Sequence, residues 1–250
     1  MSVSIVSEKL ELTNILDLDV PAWMLIEEKT GIEWVDTAYG GGLTPSQTIL
    51  FTGTPGAGKT SSMLQVADAI TATSSTMVAL YNTQEEAPLQ IRKHCSRLGL
   101  RNGFYCGKDR KIPDVLAHAD KIRAANPNKR LFMIIDSLQC HDDGFYSNGM
   151  INGASQVRVT EMLTAYAKST GSIVVIIGQV NKAGDFAGKQ GVKHHVDTHS
   201  HLEIDMNKKS DFFGFRIFEN QKNRFGAANI RHALAMDGEG KGLELKAIIE

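Results

Sequence analysis

TILFTGTPGAGKT, residues 48–60, decides the fold class. The apolar run Thr48–Thr52 passes directly into Gly53-Thr-Pro-Gly-Ala-Gly-Lys59-Thr60, with the spacing G-x-x-x-x-G-K-T, and a segment of helical period follows. Glycines here let main-chain N–H groups turn inward around phosphate oxygens, and the N-terminus of the following helix adds a partial positive charge. The residues expected to hold a nucleotide are Gly53, Thr54, Pro55, Gly56, Ala57, Gly58, Lys59, Thr60 and Ser61. Lys59 is expected to reach the β- and γ-phosphates of ATP, and the Thr60 hydroxyl to ligate Mg2+. A bare glycine-rich turn is the bland alternative; the strand before it and the helix after it weigh against that.

Outward from this motif, short apolar runs alternate with helical segments. The runs Thr48–Thr52, Met77–Asn82, Leu131–Asp136 and Ser172–Gly178 read as strands. The segments Lys59–Thr71, Pro88–Leu98, Ile112–Ala125 and Ser155–Ser169 read as helices. Alternation of this kind predicts an α/β fold, a mainly parallel central sheet flanked by helices. The tail changes period: HSHLEID, GFRIFEN and NIRHALAM alternate every second residue and predict antiparallel strands finishing the sheet. Residues 1–30 read as an N-terminal arm and 31–250 as one ATPase domain. In the arm, Trp23, Leu25 and Ile26 are candidates for docking, on a neighbour or on the same chain.

Three further positions carry chemistry. RLFMIIDS ends in Asp136 at a strand's carboxyl end, where a hard carboxylate can hold magnesium through water. MVALYN leads to Thr83-Gln84-Glu85-Glu86. If that strand lies beside the P-loop strand, Glu85 faces the γ-phosphate as the group that activates water, while Glu86 is better read as a helix-start residue. SIVVIIGQ presents Gln179 past its end, an amide suited to sensing the γ-phosphate.

Composition excludes other classes. Lysine plus arginine, 27, nearly equals aspartate plus glutamate, 28, so no global basic field marks a nucleic-acid binder and polyanion contacts must be local. Cys95, Cys106 and Cys140 lack C-x-x-C spacing and are expected to be buried reduced thiols, not a disulfide frame or a zinc site. MSVSIVSEKLEL is too polar and acidic for a targeting peptide, and no apolar run approaches the ~20 residues that cross a bilayer. A cytoplasmic, non-membrane protein is expected. The histidines of HHVDTHSH, 194–201, lack a further ligand placed by sequence, so a metal site there is not expected.

Several segments together resemble one family. TGIEWVDTAYGGGL precedes the P-loop, EEAPLQIRKHCSRLGL follows the second strand, and IIDSLQ, GASQVR, GQVNKAGDFAGKQGVKHHVDT and QKNRFGA complete the set. Across residues 31–250 the chain resembles the ATPase core of the bacterial RadA (Sms) family, within the RecA-like and DnaB-like P-loop proteins. The resemblance implies a RecA-like core, assembled as a homo-oligomeric ring of six, that uses ATP and Mg2+ to move along single-stranded DNA. Helicase or branch-migration work in recombination, repair or replication would follow, with proteins of those processes as partners. It also implies that Lys222 and Arg224 of KNRFG reach the γ-phosphate held by a neighbouring subunit. Residues 141–155 and 182–196 would face the ring centre, with Lys182, Lys189 and Lys193 on phosphates and Phe186, like Phe145 and Tyr146, stacking on bases.

The departures are specific. No four-cysteine zinc finger and no Lon-like domain is expected, so functions tied to those modules are not carried over. Gln179 stands where the family has histidine, Lys189 replaces a proline, Ala183 an acidic residue, and His199 and His201 replace apolar strand residues. Two other functions fit the same motifs: a KaiC-like ATP-binding regulator, and a RecA-like recombinase forming nucleoprotein filaments.

Overall fold

The computed structural model describes residues 14–146, 149–180 and 188–249. Nine strands form one sheet: β1 (Thr48–Gly53), β2 (Met77–Thr83), β3 (Tyr105–Gly107), β4 (Arg130–Asp136), β5 (Ile173–Gln179), β6 (Thr198–Ile204), β7 (Arg216–Asn223), β8 (Arg231–Met236) and β9 (Leu243–Ile249). Their order across the sheet is β3-β2-β4-β5-β1-β6-β7-β8-β9. The four predicted strands and four predicted helices are all present, with boundaries within two residues.

The helices are α1 (Glu33–Ala38), α2 (Lys59–Thr73), α3 (Pro88–Leu98), α4 (Ile112–Ala125), α5 (Gly153–Thr170) and α6 (Gln190–His195). β1, β2, β4 and β5 are buried along almost their whole length because helices cover both faces, which is why their sequences run apolar without alternation. Ile49 and Phe51 point to the face carrying α1, α2 and α3, and Leu50 points to the face carrying α4, α5 and α6. Each such fully buried apolar side chain stabilises the sheet by about 1.5–3 kcal/mol.

The tail requires a correction. β7 and β8 are antiparallel as their period of two predicts, and β9, which the sequence reading did not foresee, extends them, but β6 runs parallel to β1 and antiparallel only to β7. Its mixed sequence, THSHLEI, reflects a strand buried where it meets β1 and half-open towards its end. Cys106 and Cys140 also depart from expectation: Cys106 is exposed on β3, the edge strand among the described residues, and Cys140 is half-buried, whereas Cys95 is buried on the inner face of α3.

The arm leaves the body through Glu28, a buried carboxylate that pairs with Arg130 and accepts from the Ser74 and Thr76 hydroxyls. Trp23 lies on its own chain, under the Arg130 guanidinium at 5.7 Å and against Gly171. Leu25 and Ile26 stay exposed. No helix among the described residues is long and apolar enough to cross a membrane.

Three buried histidines and one half-buried one, His201, predict the acid limb of stability. Burial holds His141, His201 and His232 below the usual imidazole range and His199 down at about 3. The folded chain therefore keeps these rings neutral where the unfolded chain protonates near pH 6.5, so stability is full above that pH and falls as pH drops towards 3. Asp136, raised by burial to about 6, acts in the opposite direction between pH 6 and 4, one group against four. Each histidine contributes about 1.4 kcal/mol per pH unit within its window. Urea midpoints measured from pH 7.5 to 4.5 should decline, and His199→Gln should make the decline shallower; an unchanged slope in that variant would remove His199 from the account.

Candidate functional site

The loop between β1 and α2 is shaped by backbone needs that only glycine meets. Gly56 and Gly58 have φ of 77° and 105°, in the left-handed region. At Gly53 the requirement is contact: a Cβ there would lie 2.2 Å from the Leu202 carbonyl oxygen, so β6 could not approach. Thr54 N–H donates to that same carbonyl at 3.1 Å, which pins the loop to β6. The N-terminus of α2 then points into the cradle, with its first N–H groups free of intrahelical acceptors.

Lys59 folds back over the cradle. Its Nζ donates to the Gly53 carbonyl at 2.7 Å and the Thr54 carbonyl at 3.2 Å. Burial lowers its pKa, against the opposing pull of Asp136 and Glu85. The Thr54 hydroxyl is buried without a partner among the described residues. A phosphate group would supply an acceptor for that hydroxyl and for the third N–H of Lys59.

Asp136 ends β4, is only 4% exposed, and accepts from the Tyr81 hydroxyl. Burial raises its pKa to about 6, with the Tyr81 hydrogen bond working against that rise. A buried carboxylate with spare lone pairs, on the same cleft as the Thr60 hydroxyl, is a hard-oxygen donor set that fits a magnesium ion.

Glu85 reaches this cleft by a route the sequence reading did not foresee. β2 is not beside β1: β4 and β5 lie between them. Sheet pairing of Thr83 with Asp136 places the β2 tip next to the β4 tip, and from there the carboxylate leans across. Glu85 Oε1 accepts from Ser137 Oγ at 2.5 Å and from Gln179 Nε2 at 3.0 Å. Glu86 turns away towards His94 at 3.6 Å.

Lys59, Thr60, Glu85, Asp136 and Gln179 thus share the walls of one open cleft of ≈ 460 Å³. Sequence reasoning missed three of its supports. Ser137 holds Glu85, Tyr81 holds Asp136, and Gln139 Oε1 accepts the Gln179 main-chain N–H at 3.2 Å. Tyr81 carried a signal, as the single hydroxyl-bearing aromatic in an aliphatic strand; Ser137 and Gln139 act only through strand register.

Below the cradle, His199 Nε2 and His201 Nδ1 each lie 2.9 Å from Thr52 Oγ1. Because the Thr52 hydroxyl donates to the Ser200 carbonyl at 3.2 Å, both rings donate to it. This polar floor is what occupies the two positions where apolar residues were expected.

Lys222 and Arg224 are not brought to the cleft. Asn223 pairs with Thr198, which pairs with Ile49, four residues before Gly53. The two cations therefore lie roughly 13 Å down the strand direction from the cradle of their own chain. Lys222 Nζ donates to the carbonyls of Lys193, His194 and Val196, and Arg224 donates to Asp197 Oδ1 at 3.1 Å.

Of the proposed DNA contacts, Lys189 is exposed at the start of α6 and Lys193 is half-buried on it. Lys182 and Phe186 lie outside the described residues. Phe145 and Tyr146 meet edge to face at 5.1 Å, with the Arg158 guanidinium 4.7 and 5.5 Å from their ring centres. Asp142 and Asp143 are answered within the chain by Arg110 and Arg158.

Known proteins resemble this chain in sequence and in fold. The family described as "ATPase: KaiC" matches residues 28–139. "DNA repair protein RadA" of Mycobacterium tuberculosis is 35% identical over 204 residues, 80% of this chain and 40% of that protein. The Escherichia coli protein of the same name is 33% identical over 215 residues, 84% of this chain and 43% of its own length. The chain thus spans less than half the length of these relatives. Among solved structures, the ATPase domain of G40P superposes with a TM-score of 0.76 at 14% identity, covering 89% of this chain and 92% of that one. A DnaB-like replicative helicase, solved in a study of its interactions with primase, gives 0.75 at 14% identity, covering 86% and 61%. These two show the fold, and the sequence relatives narrow it. The chain carries a RadA-type, RecA-like P-loop ATPase core.

Proposed function

We propose that this chain is a DNA-dependent ATP-hydrolysing motor whose active sites lie between the subunits of a ring, six in number. The supporting observation is the division of groups: Lys59, Thr60, Glu85, Asp136 and Gln179 share one cleft, while Arg224 sits a strand length away from it, bound to Asp197 at an exposed turn. In this reading the cradle N–H groups and Lys59 bind the phosphates. Thr60 and Asp136 hold Mg2+, which neutralises phosphate charge when bound. Glu85 takes the proton of the attacking water, released from its Gln179 and Ser137 bonds as Gln179 turns to the γ-phosphate. Arg224 of a neighbour stabilises charge developing on that phosphate.

DNA enters from the kinship with proteins named for DNA repair. Single-stranded DNA would contact Lys182, Phe186, Lys189 and Lys193 at the ring centre, in the cytoplasm, alongside recombination or replication proteins. The match of residues 28–139 to the KaiC family supports one second reading, a regulator whose ATP binding governs assembly with proteins.

ATP turnover measured with and without single-stranded DNA, with particle mass determined in the same buffers, separates the two. Severalfold stimulation together with an assembled particle is expected. Turnover indifferent to DNA in an assembled particle would favour the regulator.

A further inference from the structure

Lys222 and Arg224 have different work, we infer: Lys222 is a positioning residue that caps α6 of its own subunit, and Arg224 alone is presented to a neighbour. The inference rests on the reading that hydrolysis is completed between subunits, and it divides a pair that the sequence treats as equivalent.

The case begins with α6. It has six residues, far fewer than the roughly 12–15 an isolated helix needs, so tertiary contacts must hold it. Its own Val192 and the following Val196 are buried in the core, and His195 reaches Glu161 on α5 at 3.1 Å. Those contacts hold its sides. Its last carbonyls have no intrahelical donors and form the negative end of the helix. Lys222 Nζ meets that need, donating to Lys193 O at 2.9 Å, His194 O at 3.4 Å and Val196 O at 2.6 Å. An ammonium has three N–H donors, and all three are used. Reaching an external phosphate would strip α6 of its cap and leave three carbonyls without that donor.

Arg224 is placed differently. It sits beyond the end of β7 on an exposed turn beside exposed Phe225, with its own side chain half exposed. Among the described residues only Asp197 accepts from its side chain, one contact for a guanidinium with five donors. Asp197 Oδ2 also accepts from the Thr48 N–H at the start of β1, so this single partner is itself fixed. One cation is committed to its own chain and the other is held at the surface.

Lys222 therefore fixes α6, which carries Lys193 and follows directly on the segment proposed to meet DNA. Loss of Lys222 should disturb that face of its own subunit. Loss of Arg224 should silence the site of the next subunit.

Hydrogen exchange on the full chain tests this, at a dilution where it is a single subunit and without nucleotide. Lys222→Met should speed exchange of the amides of residues 191–196 on the order of 10-fold, Lys222→Arg should restore protection, and Arg224→Ala should leave it unchanged. Protection of β1 and α2 amides serves as the control for global folding. Unchanged exchange at 191–196 in Lys222→Met overturns the assignment. A second measurement uses mixtures with Glu85→Gln chains: Arg224→Ala chains should regain turnover, whereas Lys222→Met chains should not regain DNA stimulation, their defect being within the chain. Equal recovery by both also overturns it. Full turnover in Arg224→Ala alone would instead sink the between-subunit reading and leave the exchange result standing.

Discussion

Glu85→Gln chains should bind ATP nearly as well as the natural chain yet hydrolyse it on the order of 10²–10⁴ times more slowly, the usual worth of a positioned general base. The geometry separates binding from chemistry. In the proposed mechanism phosphate binding belongs to the β1–α2 loop and Lys59, on elements separate in the chain from the β2 tip that carries Glu85. A glutamine at position 85 keeps the oxygen that accepts from Ser137 and Gln179, so the local hydrogen bonds survive. What disappears is the basic oxygen that receives a proton from water. Equilibrium binding and single-turnover hydrolysis, measured side by side, check both halves. Turnover within a few-fold of the natural chain would dismiss Glu85 as the base. Glu86 would be a poor successor, since it is turned towards His94.

The cleft is only partly legible in the sequence. The P-loop is local: a strand, three glycines, Lys59 and a helix occur within thirteen consecutive residues, and local chemistry determines their conformation. Asp136 is nearly as legible, because a carboxylate closing an apolar run must sit at a strand's end. Reading Glu85 as a group of the cleft presumes that β2 adjoins β1, whereas β4 and β5 intervene. Strand order is set by which crossovers pack best, and no residue near Glu85 carries that information. Glu85 nonetheless lines the cleft, because parallel strands share one carboxyl-terminal edge and any strand tip on that edge can reach it.

The same limit explains Tyr81, Ser137 and Gln139, whose roles exist only once Thr83 is in register with Asp136 and β5 lies beside β4. It also explains β6. Its period of two describes a half-buried strand correctly and says nothing of whether its neighbour runs with it or against it. Lys222 is the furthest case. KNRFG reads as two cations on a turn, and only the packing of α6 against the β6–β7 pair makes one of them a helix cap.

Arg224→Ala chains should bind nucleotide and lose turnover by on the order of 10³–10⁵, the range for an arginine supplied to a phosphoryl-transfer site from outside. The loss cannot come from the chain's own cleft if register is any guide, since Arg224 lies beyond the β7 residue level with Ile49, near the amino-terminal end of β1. Nor should it come from unfolding, because an exposed side chain with one partly solvated ion pair contributes at most about 1 kcal/mol. Mixing supplies the decisive contrast. An Arg224→Ala chain has an intact Glu85 and a Glu85→Gln chain an intact Arg224, so a mixed ring contains some complete sites that neither parent can form. With random arrangement at equal proportions, about a quarter of seams pair an intact cleft with an intact arginine. Turnover should therefore return to roughly that fraction of the natural rate, if sites fire independently. Mixtures as silent as their parents would return Arg224 to its own chain, where the separation of some four residues along β1 would have to close by a movement of the whole β6–β7 pair.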